Sequence, residues 1–257
     1  MILTIDIGNT NTVLGGYEER KLMFVSRIRT DASKTADEYA ALIRSMLHLN
    51  EMSGKQIEGC VVSSVVPSLQ AAIKSAVSKI SKAKILVIGP GVKTGLNILI
   101  DNPAQLGADL ASACVGALKK YKLPCVVVDL GTATKFSVID KAGNMQGCSI
   151  MPGVQISLDA LSSRTAQLPQ ISLEGEIPLI GKNTVDSMRS GIVLGTAGMI
   201  DALCDKIEKQ LGEETTVVAT GGLASFIVPH CQRKIIINDT LLLEGLLEIY
   251  YKNEKAI

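Results

Sequence analysis

The chain has 257 residues and a formal net charge of +1, with 47% hydrophobic and only 3% aromatic residues. Mixed charges and scarce aromatic rings argue against a nucleic-acid-binding or polyanion-binding protein, because such proteins need a basic surface or stacking platforms. No uninterrupted apolar run is long enough to span a bilayer, and the chain starts directly with a strand pattern. We therefore expect a cytoplasmic protein with a sizeable core and no nucleic-acid or membrane partner.

Six cysteines are spread over the chain, at positions 60, 114, 125, 148, 204 and 231. No two of them form a Cys-x-x-Cys motif, and His48 and His230 lie far apart in the sequence. This spacing argues against a zinc site or a disulfide framework. It predicts buried thiols in a reducing compartment.

The first half of the chain alternates apolar strand patterns with amphipathic helix patterns. Pro67 favours a helix start, because its fixed φ suits the first helical turn. We predict strands at Met1–Ile7, Gly59–Val66 and Lys84–Ile88, a hairpin of Thr12–Tyr17 and Leu22–Arg29, and helices at Thr35–Leu49, Pro67–Ile80 and Gln105–Lys120.

The second half repeats this order from residue 120 onward. The repetition predicts an α/β fold of two duplicated lobes, residues 1–119 and 120–257, whose half-sites face one cleft. We predict strands at Pro124–Leu130, Thr215–Thr220 and Lys234–Ile237, a hairpin of Lys135–Ile139 and Gly147–Ile150, and helices at Gly153–Ser163, Thr184–Leu211 and Leu241–Tyr251.

Two strands end in Asp-x-Gly followed by hydroxyl-rich turns. Glycine lets the backbone approach a phosphate closely, and the aspartate could hold a hydrated Mg²⁺ that bridges nucleotide phosphates. A single copy would fit a plain tight turn with a capping aspartate, but two copies at equivalent points favour phosphate binding. The copies are Asp6-Ile7-Gly8-Asn9-Thr10-Asn11-Thr12-Val13 and Asp129-Leu130-Gly131-Thr132-Ala133-Thr134.

Two further stretches allow both a functional and a plain structural interpretation. Asp109, in Gly107-Ala108-Asp109, could accept a proton from a substrate hydroxyl, or could simply complement a helix dipole. Gly221-Gly222 follows an apolar strand, where it could lie flat against an adenine or merely turn the chain.

With these residues assembled, the chain resembles the type III pantothenate kinases of the acetate kinase, sugar kinase, heat-shock ATPase and actin superfamily. The resemblance covers essentially the whole chain. Besides the two Asp-x-Gly turns, the matching stretches are Asn102 to Asp109, Met151 to Val154, Arg164 to Pro169, Ile180 to Thr184 and Ala219 to Gly222.

The resemblance implies actin-like, ribonuclease H-like lobes around a nucleotide cleft, and ATP-dependent phosphorylation of pantothenate, the first step towards coenzyme A. By position, it implies ATP phosphate contacts from Asp6 to Val13 and at Thr132, an adenosine side at Gly221 and Gly222, and Mg²⁺ near Asp6. Asp129 resembles the ligand of a monovalent cation, potassium or ammonium. Gly107, Ala108, Asp109 and Thr184 match pantothenate contacts, with Asp109 as the proton acceptor. The resemblance also implies a homodimer whose interface completes the substrate site.

Three positions depart from the family pattern. Leu110 stands where the family has arginine, Ile100 where it has tyrosine, and Lys135 where it often has threonine. Leucine cannot replace a forked guanidinium contact to an acidic substrate, so the pantothenate side is the altered side. The Lys135 ammonium could stand in for the monovalent cation near Asp129, or could face solvent.

These departures leave three interpretations open. The chain could be a working kinase with a repacked acceptor pocket, as the retained Asp6, Asp109, Asp129 and Thr184 favour. It could instead be a diverged paralogue that binds nucleotide but phosphorylates pantothenate weakly or not at all. A chaperone-like ATPase of the same superfamily fits less well, because no peptide-binding domain is appended.

Overall fold

The computed structural model describes residues 1–256, which form two β-sheets and seven α-helices. The first sheet contains β1 (Ile2–Ile7), β2 (Asn11–Glu18), β3 (Lys21–Arg29), β4 (Gly59–Ser64) and β5 (Lys84–Val87). The second contains β6 (Asn97–Ile98), β7 (Cys125–Leu130), β8 (Ala133–Ile139), β9 (Asn144–Pro152), β10 (Thr216–Thr220) and β11 (Ile236–Ile237). The helices are α1 (Ala36–Leu49), α2 (Pro67–Ile80), α3 (Ala108–Lys120), α4 (Val154–Arg164), α5 (Thr184–Leu211), α6 (Ala224–Ile227) and α7 (Leu241–Asn253).

The two sheets share one topology. In the first, with strand order β3-β2-β1-β4-β5, β1 pairs antiparallel with β2 and parallel with β4. In the second, with order β11-β10-β7-β8-β9-β6, β7 pairs antiparallel with β8 and parallel with β10. This repetition confirms the predicted α/β fold of two duplicated halves. The added edge strand β6, which pairs parallel with β9, was not predicted because two residues carry no periodic pattern.

The central strand of each sheet is buried on both faces, which explains its continuous apolar sequence. In β1, Leu3, Ile5 and Ile7 have no exposed surface, and β7 is equally buried from Cys125 to Val128. Because the core encloses these strands, the polar residue that ends each one has a fixed position. The first sheet is covered on one face by α1 and α2.

The C-terminal helix α7 packs against β1 and β4 of the first sheet. Gly245 lies directly against the Ser112 carbonyl of α3, and Gly116 lies against the Leu241 carbonyl, so the two helices approach as closely as glycine allows. One compact unit therefore contains residues 1–96, 102–119 and the chain from Leu241 onward, and the other contains residues 97–101 and 120–240. This grouping differs from the division at residue 119 in two respects: the last helix belongs to the first unit, and residues 97–101 belong to the second. The assignment of two functional lobes stays a prediction.

All six cysteines are free, and four of them, Cys60, Cys114, Cys125 and Cys204, are buried as expected. Burial raises the pKa of the Cys204 thiol to about 11. The prediction of buried thiols is wrong for Cys148, which is exposed because it lies on the outward face of β9. Among residues 1–256, no helix has the length and apolar composition needed to cross a bilayer.

Candidate active site

The first Asp-x-Gly turn follows β1 directly. Asp6 is the penultimate residue of the strand, in register with Val13 of β2 and Ser63 of β4. The Gly8 amide donates to the Asn11 carbonyl over 3.0 Å, and a Cβ at Gly8 would lie 3.0 Å from the same oxygen. The turn is therefore tight, and its next residues, Asn9, Thr10 and Asn11, are exposed to solvent.

The second turn also follows a central strand, but it is one residue shorter than the first and differs from it in charge. Asp129 is the penultimate residue of β7, in register with Lys135 of β8 and Thr220 of β10. The Lys135 ammonium lies 2.7 Å from Asp129 Oδ2, and the two side chains are only 16% and 19% exposed. In the first sheet, the residue paired with the aspartate is Val13 of β2 instead of a lysine.

Gly221 brings the end of β10 against the second turn. Its φ is +95°, and a Cβ there would lie 2.6 Å from the Leu130 carbonyl carbon and 2.8 Å from Asp129 Oδ1. Only glycine fits this backbone, because any side chain would collide with the carboxylate. Gly222, which follows Gly221 in the chain, and Thr132, which belongs to the second turn, are both exposed to solvent. The structure thus brings together Asp129, Lys135 and Gly221, which lie far apart in the sequence.

Asp109 is the second residue of α3 and is half-buried. Its carboxylate lies against Gly107, where a side chain would collide with Oδ1. The predicted helix start at Gln105 is wrong: Pro103–Gln105 forms a separate 3₁₀ turn, and α3 begins at Ala108. Leu110 is buried at 8% exposure, and half-buried Ile100 belongs to the other compact unit. An arginine at position 110 would have to carry its charge out of an apolar environment.

Thr184 lines a cavity of about 720 Å³ in the second unit. Asn183 caps α5, since the Asp186 amide donates to its Oδ1 over 2.9 Å, so the start of the helix is well defined. Sequence reasoning missed Lys182 as a cavity residue, although its position just before a helix N-cap was a usable signal. The lining residues are Leu161, Leu168, Gly181, Lys182, Asn183, Thr184, Ser187, Met188, Gly191 and Ile192.

No cluster of three histidine, cysteine or acidic side chains in the described chain, residues 1–256, could hold a metal ion. A Mg²⁺ ion does not need such a cluster. It keeps several waters and is commonly held by one or two carboxylates together with substrate phosphates.

Duplicated α/β halves, each with Asp-x-Gly after its central strand, define a two-lobed, actin-like nucleotide-binding fold. Solved structures agree with this fold class. A Baf family protein from Campylobacter jejuni is 19% identical, has a TM-score of 0.63, and the match covers 98% of this chain and 99% of that one. The activator of the 2-hydroxyisocaproyl-CoA dehydratase from Clostridium difficile, solved with bound ADPNP, is 15% identical with a TM-score of 0.57, covering 100% and 97% of the two chains.

The sequence comparisons identify the family within this fold class. A family model described as type III pantothenate kinase matches residues 2–206. A type III pantothenate kinase from Exiguobacterium sp. (strain ATCC BAA-1283 / AT1b) is 42% identical over 255 residues, which cover 99% of this chain and 100% of the relative. The chain belongs to the type III pantothenate kinase family. It is a kinase that uses ATP to phosphorylate pantothenate.

Proposed function

We propose that this kinase binds the phosphates of ATP through its two Asp-x-Gly turns and uses Asp109 as the proton acceptor for pantothenate. The observation that carries the proposal is the equivalence of Asp6 and Asp129, each penultimate in the central strand of its sheet. Turns that present backbone amides after a glycine suit phosphate oxygens. We assign to ATP the residues Asp6, Ile7, Gly8, Asn9, Thr10, Asn11, Thr12, Val13, Thr132, Gly221 and Gly222.

The surroundings of Asp6 fit a hydrated Mg²⁺. The Ser63 hydroxyl faces the same side of the sheet as Asp6, because the two residues are in parallel register. It is buried and makes no hydrogen bond within the described chain, so it has capacity for a bound water. When bound, Mg²⁺ would neutralise charge on the transferred phosphate. The role of Asp6 and Ser63 is to hold its water shell.

The Asp129 position would hold a potassium or ammonium ion, as the resemblance implies, unless Lys135 supplies that charge. We propose that Lys135 does so. Its ammonium already lies 2.7 Å from Asp129 Oδ2, and both groups are largely buried, so the pair is weakly screened by solvent. A lysine in this place supplies the same single positive charge as the ion.

We assign the acceptor side to Gly107, Ala108, Asp109, Leu110, Ile100 and Thr184. The cavity beside Thr184 supports this assignment, because it combines an exposed cation, Lys182, with the N-terminus of α5. Both features favour the carboxylate of an acidic substrate. They would compensate in part for the guanidinium that Leu110 lacks.

In the transfer step, Asp109 accepts the proton of the acceptor hydroxyl as that oxygen bonds to the γ-phosphorus. The bond from the γ-phosphorus to the β,γ-bridging oxygen breaks, and ADP leaves. The contact of the Asp109 carboxylate with Gly107 limits the positions that this carboxylate can adopt, which suits a positioned base.

We further propose that the kinase is a cytoplasmic homodimer. The exposed face of α5 contains Gly191, Gly195 and Gly198, and apart from their chain neighbours and their own helix backbone no atom of residues 1–256 lies within 4 Å of the place where a side chain would begin. Leu179 and Ile180, just before the helix, are 79% and 77% exposed. A small-residue helix face beside exposed apolar side chains is suited to close packing with a second copy.

A coupled assay of wild type, Asp109→Asn and Asp37→Asn tests the role of Asp109. Asp37 is the second residue of α1, as Asp109 is of α3, so the control removes an equivalent acid beside a helix N-terminus. Asp109→Asn should lower kcat by roughly 10²- to 10⁴-fold with unchanged ATP binding, because general-base catalysis contributes about that much. Equal activity of the two variants would show that Asp109 stabilises its helix and is not the proton acceptor. Wild type that binds ATP without turnover would support the diverged paralogue.

A further inference from the structure

A second cavity, of about 370 Å³, lies in the first compact unit at the end of the sheet opposite to Asp6. The β1–β2 pairing joins Ile2 to Tyr17 and Ile7 to Thr12, so the β2–β3 hairpin lies at the far end of the strands. Five residue steps separate these ends by roughly 16 Å. The lining residues are Arg20, Thr94, Gly95, Val115, Leu118, Lys119, Glu248, Tyr251 and Lys252.

One of the three cations in this cavity, Arg20, is held in place, and a second, Lys252, lies close to the loop backbone. Arg20 forms an ion pair with Glu248, and its guanidinium carbon lies 5.1 Å from the centre of the Tyr251 ring. The Lys252 ammonium lies directly against Gly95, whose φ of +78° and missing side chain leave room for it. Ordering of the Arg20 side chain before a ligand arrives reduces the entropy cost of binding.

The loop that forms one wall is fixed by a buried amide. Asn253 is 7% exposed, and its Nδ2 donates to the Lys93 carbonyl over 2.9 Å. Its Oδ1 accepts from the Lys93 amide over 3.2 Å. Thr94, next in the chain, uses its hydroxyl oxygen to accept from the Leu96 amide, so its proton can donate to a ligand. The cavity is therefore preformed.

The charges in the cavity favour an anion. Three cations and one carboxylate leave a side-chain charge of +2, and the C-terminal ends of α3 and α7 offset roughly 0.5 charge each. Among the lining groups a net charge of about +1 remains, concentrated at Lys119 and Lys252, whereas Glu19 and Glu254 lie near the Tyr251 hydroxyl. Within residues 1–256, neither Lys119 nor Lys252 forms an ion pair, so both ammonium groups are available. Val115, Leu118 and the Tyr251 ring add an apolar wall.

We propose that this cavity binds a phosphate monoester, with its phosphate held by Lys119, Lys252 and Thr94 and its organic part packed on the apolar wall. Lysines recognise phosphate as point charges, and a cavity of this size accommodates a small ligand. Neither the nucleotide turns nor the acceptor cavity contributes to this site.

Nuclear magnetic resonance on the full-length, ¹⁵N-labelled chain tests the site. Phenyl phosphate and inorganic phosphate are titrated separately, with a non-hydrolysable ATP analogue and Mg²⁺ saturating the nucleotide site. The Thr94 and Gly95 amide signals should shift saturably. Phenyl phosphate should bind several-fold more tightly, because its ring adds apolar contact. Equal affinity for both probes would overturn the monoester assignment in favour of free phosphate.

The double variant Lys119→Gln/Lys252→Gln should weaken phenyl phosphate binding by roughly tenfold or more, because two charged contacts are lost. Lys74→Gln/Lys82→Gln makes the same charge change at exposed positions outside the cavity and should bind as wild type does. Sodium chloride should also weaken binding to wild type, a readout that needs no variant. Absent shifts at Thr94 and Gly95, or shifts unchanged in the Lys119/Lys252 variant, would overturn the site.

Discussion

At the residue scale, the two halves differ in charge at one pair of matched positions. Val13 faces Asp6 across β1 and β2, whereas Lys135 faces Asp129 across β7 and β8. A largely buried carboxylate needs a positive charge or strong donors nearby, because desolvation otherwise penalises its ionised form. Lys135 supplies such a charge from within the chain, and it does so in the turn to which the resemblance assigns a monovalent cation.

Replacement of Lys135 by threonine should make activity depend on potassium or ammonium. Loss of the ammonium removes a charged contact of about 1.5–3 kcal/mol from Asp129, and an added ion can restore it. Initial rates are measured on salt-free protein with potassium varied at constant ionic strength. Wild type should be nearly insensitive to potassium.

Lys141→Thr is the matched control for this experiment. Lys141 lies in the turn between β8 and β9, is 76% exposed and pairs with Glu213 rather than Asp129. It should behave as wild type does. Strong potassium activation of wild type would show that Lys135 does not replace the ion.

The sequence was sufficient to select Asp6 and Asp129, because each ends a continuous apolar run and is followed by glycine. It could not show that Gly221 packs on Asp129, since that contact spans some 90 residues and depends on the pairing of β10 with β7. The cavity beside Arg20 was missed for the same reason, because its lining residues come from elements that lie far apart in the sequence. Lys182 was missed because the sequence does not show that α4 and α5 pack together and leave a cavity beside it.

At the element scale, α5 is tied to the strand that follows it by a polar network at its C-terminal end. Glu208 accepts from the Thr215 amide and hydroxyl, both at 2.9 Å, and from Arg233 Nη2 at 2.8 Å. Burial raises the pKa of Glu208, but the hydrogen bonds from Arg233 and Thr215 outweigh burial and hold the pKa below its usual range.

Glu208→Gln should therefore reduce the sensitivity of stability to acid. A carboxyl whose pKa is lowered by folding adds stability above its unfolded pKa, and that stability is lost as pH falls through the folded pKa. Thermal unfolding midpoints from neutral pH down to acid should fall less steeply in the variant. Glu214→Gln removes an exposed neighbouring carboxyl with none of these contacts, and an identical flattening there would contradict the assignment.

Helices could be predicted from sequence more closely than short strands. The bounds of α5 matched because Asn183 caps its start and Gly212, at φ +77°, ends it. The strands β8 and β9 are longer than predicted, since each extends into the hydroxyl-rich and proline-containing residues beside the site. The four-residue helix α6 was missed because one turn shows no period.

At the scale of the whole molecule, the proposed homodimer forms by packing of the exposed glycine face of α5 against a second copy of the chain. Gly195→Leu should convert a dimer to a monomer, because a leucine there prevents close approach of a second helix. The substitution raises helix propensity by roughly 1 kcal/mol, so unfolding would not explain the loss. Sedimentation velocity measures the assembly state, and turnover reports whether the substrate site needs both copies.

Ser75→Leu provides the control for that substitution, since it places the same side chain at an exposed position of α2. It should leave the sedimentation coefficient unchanged. If the Gly195→Leu protein still sediments as a dimer, the dimer interface does not include this face of α5.

The position of α7 has a consequence for how the protein is made. Its residues leave the ribosome after those of the second unit, yet they cover β1 and β4, which are translated before that unit. The second unit is complete at residue 240, so it can fold while the first still lacks its final helix. Synthesis from the N-terminus therefore lets the second unit complete its fold before the first unit does. The half that is translated first is therefore completed after the second, and its central strand keeps an uncovered apolar face until α7 has been made.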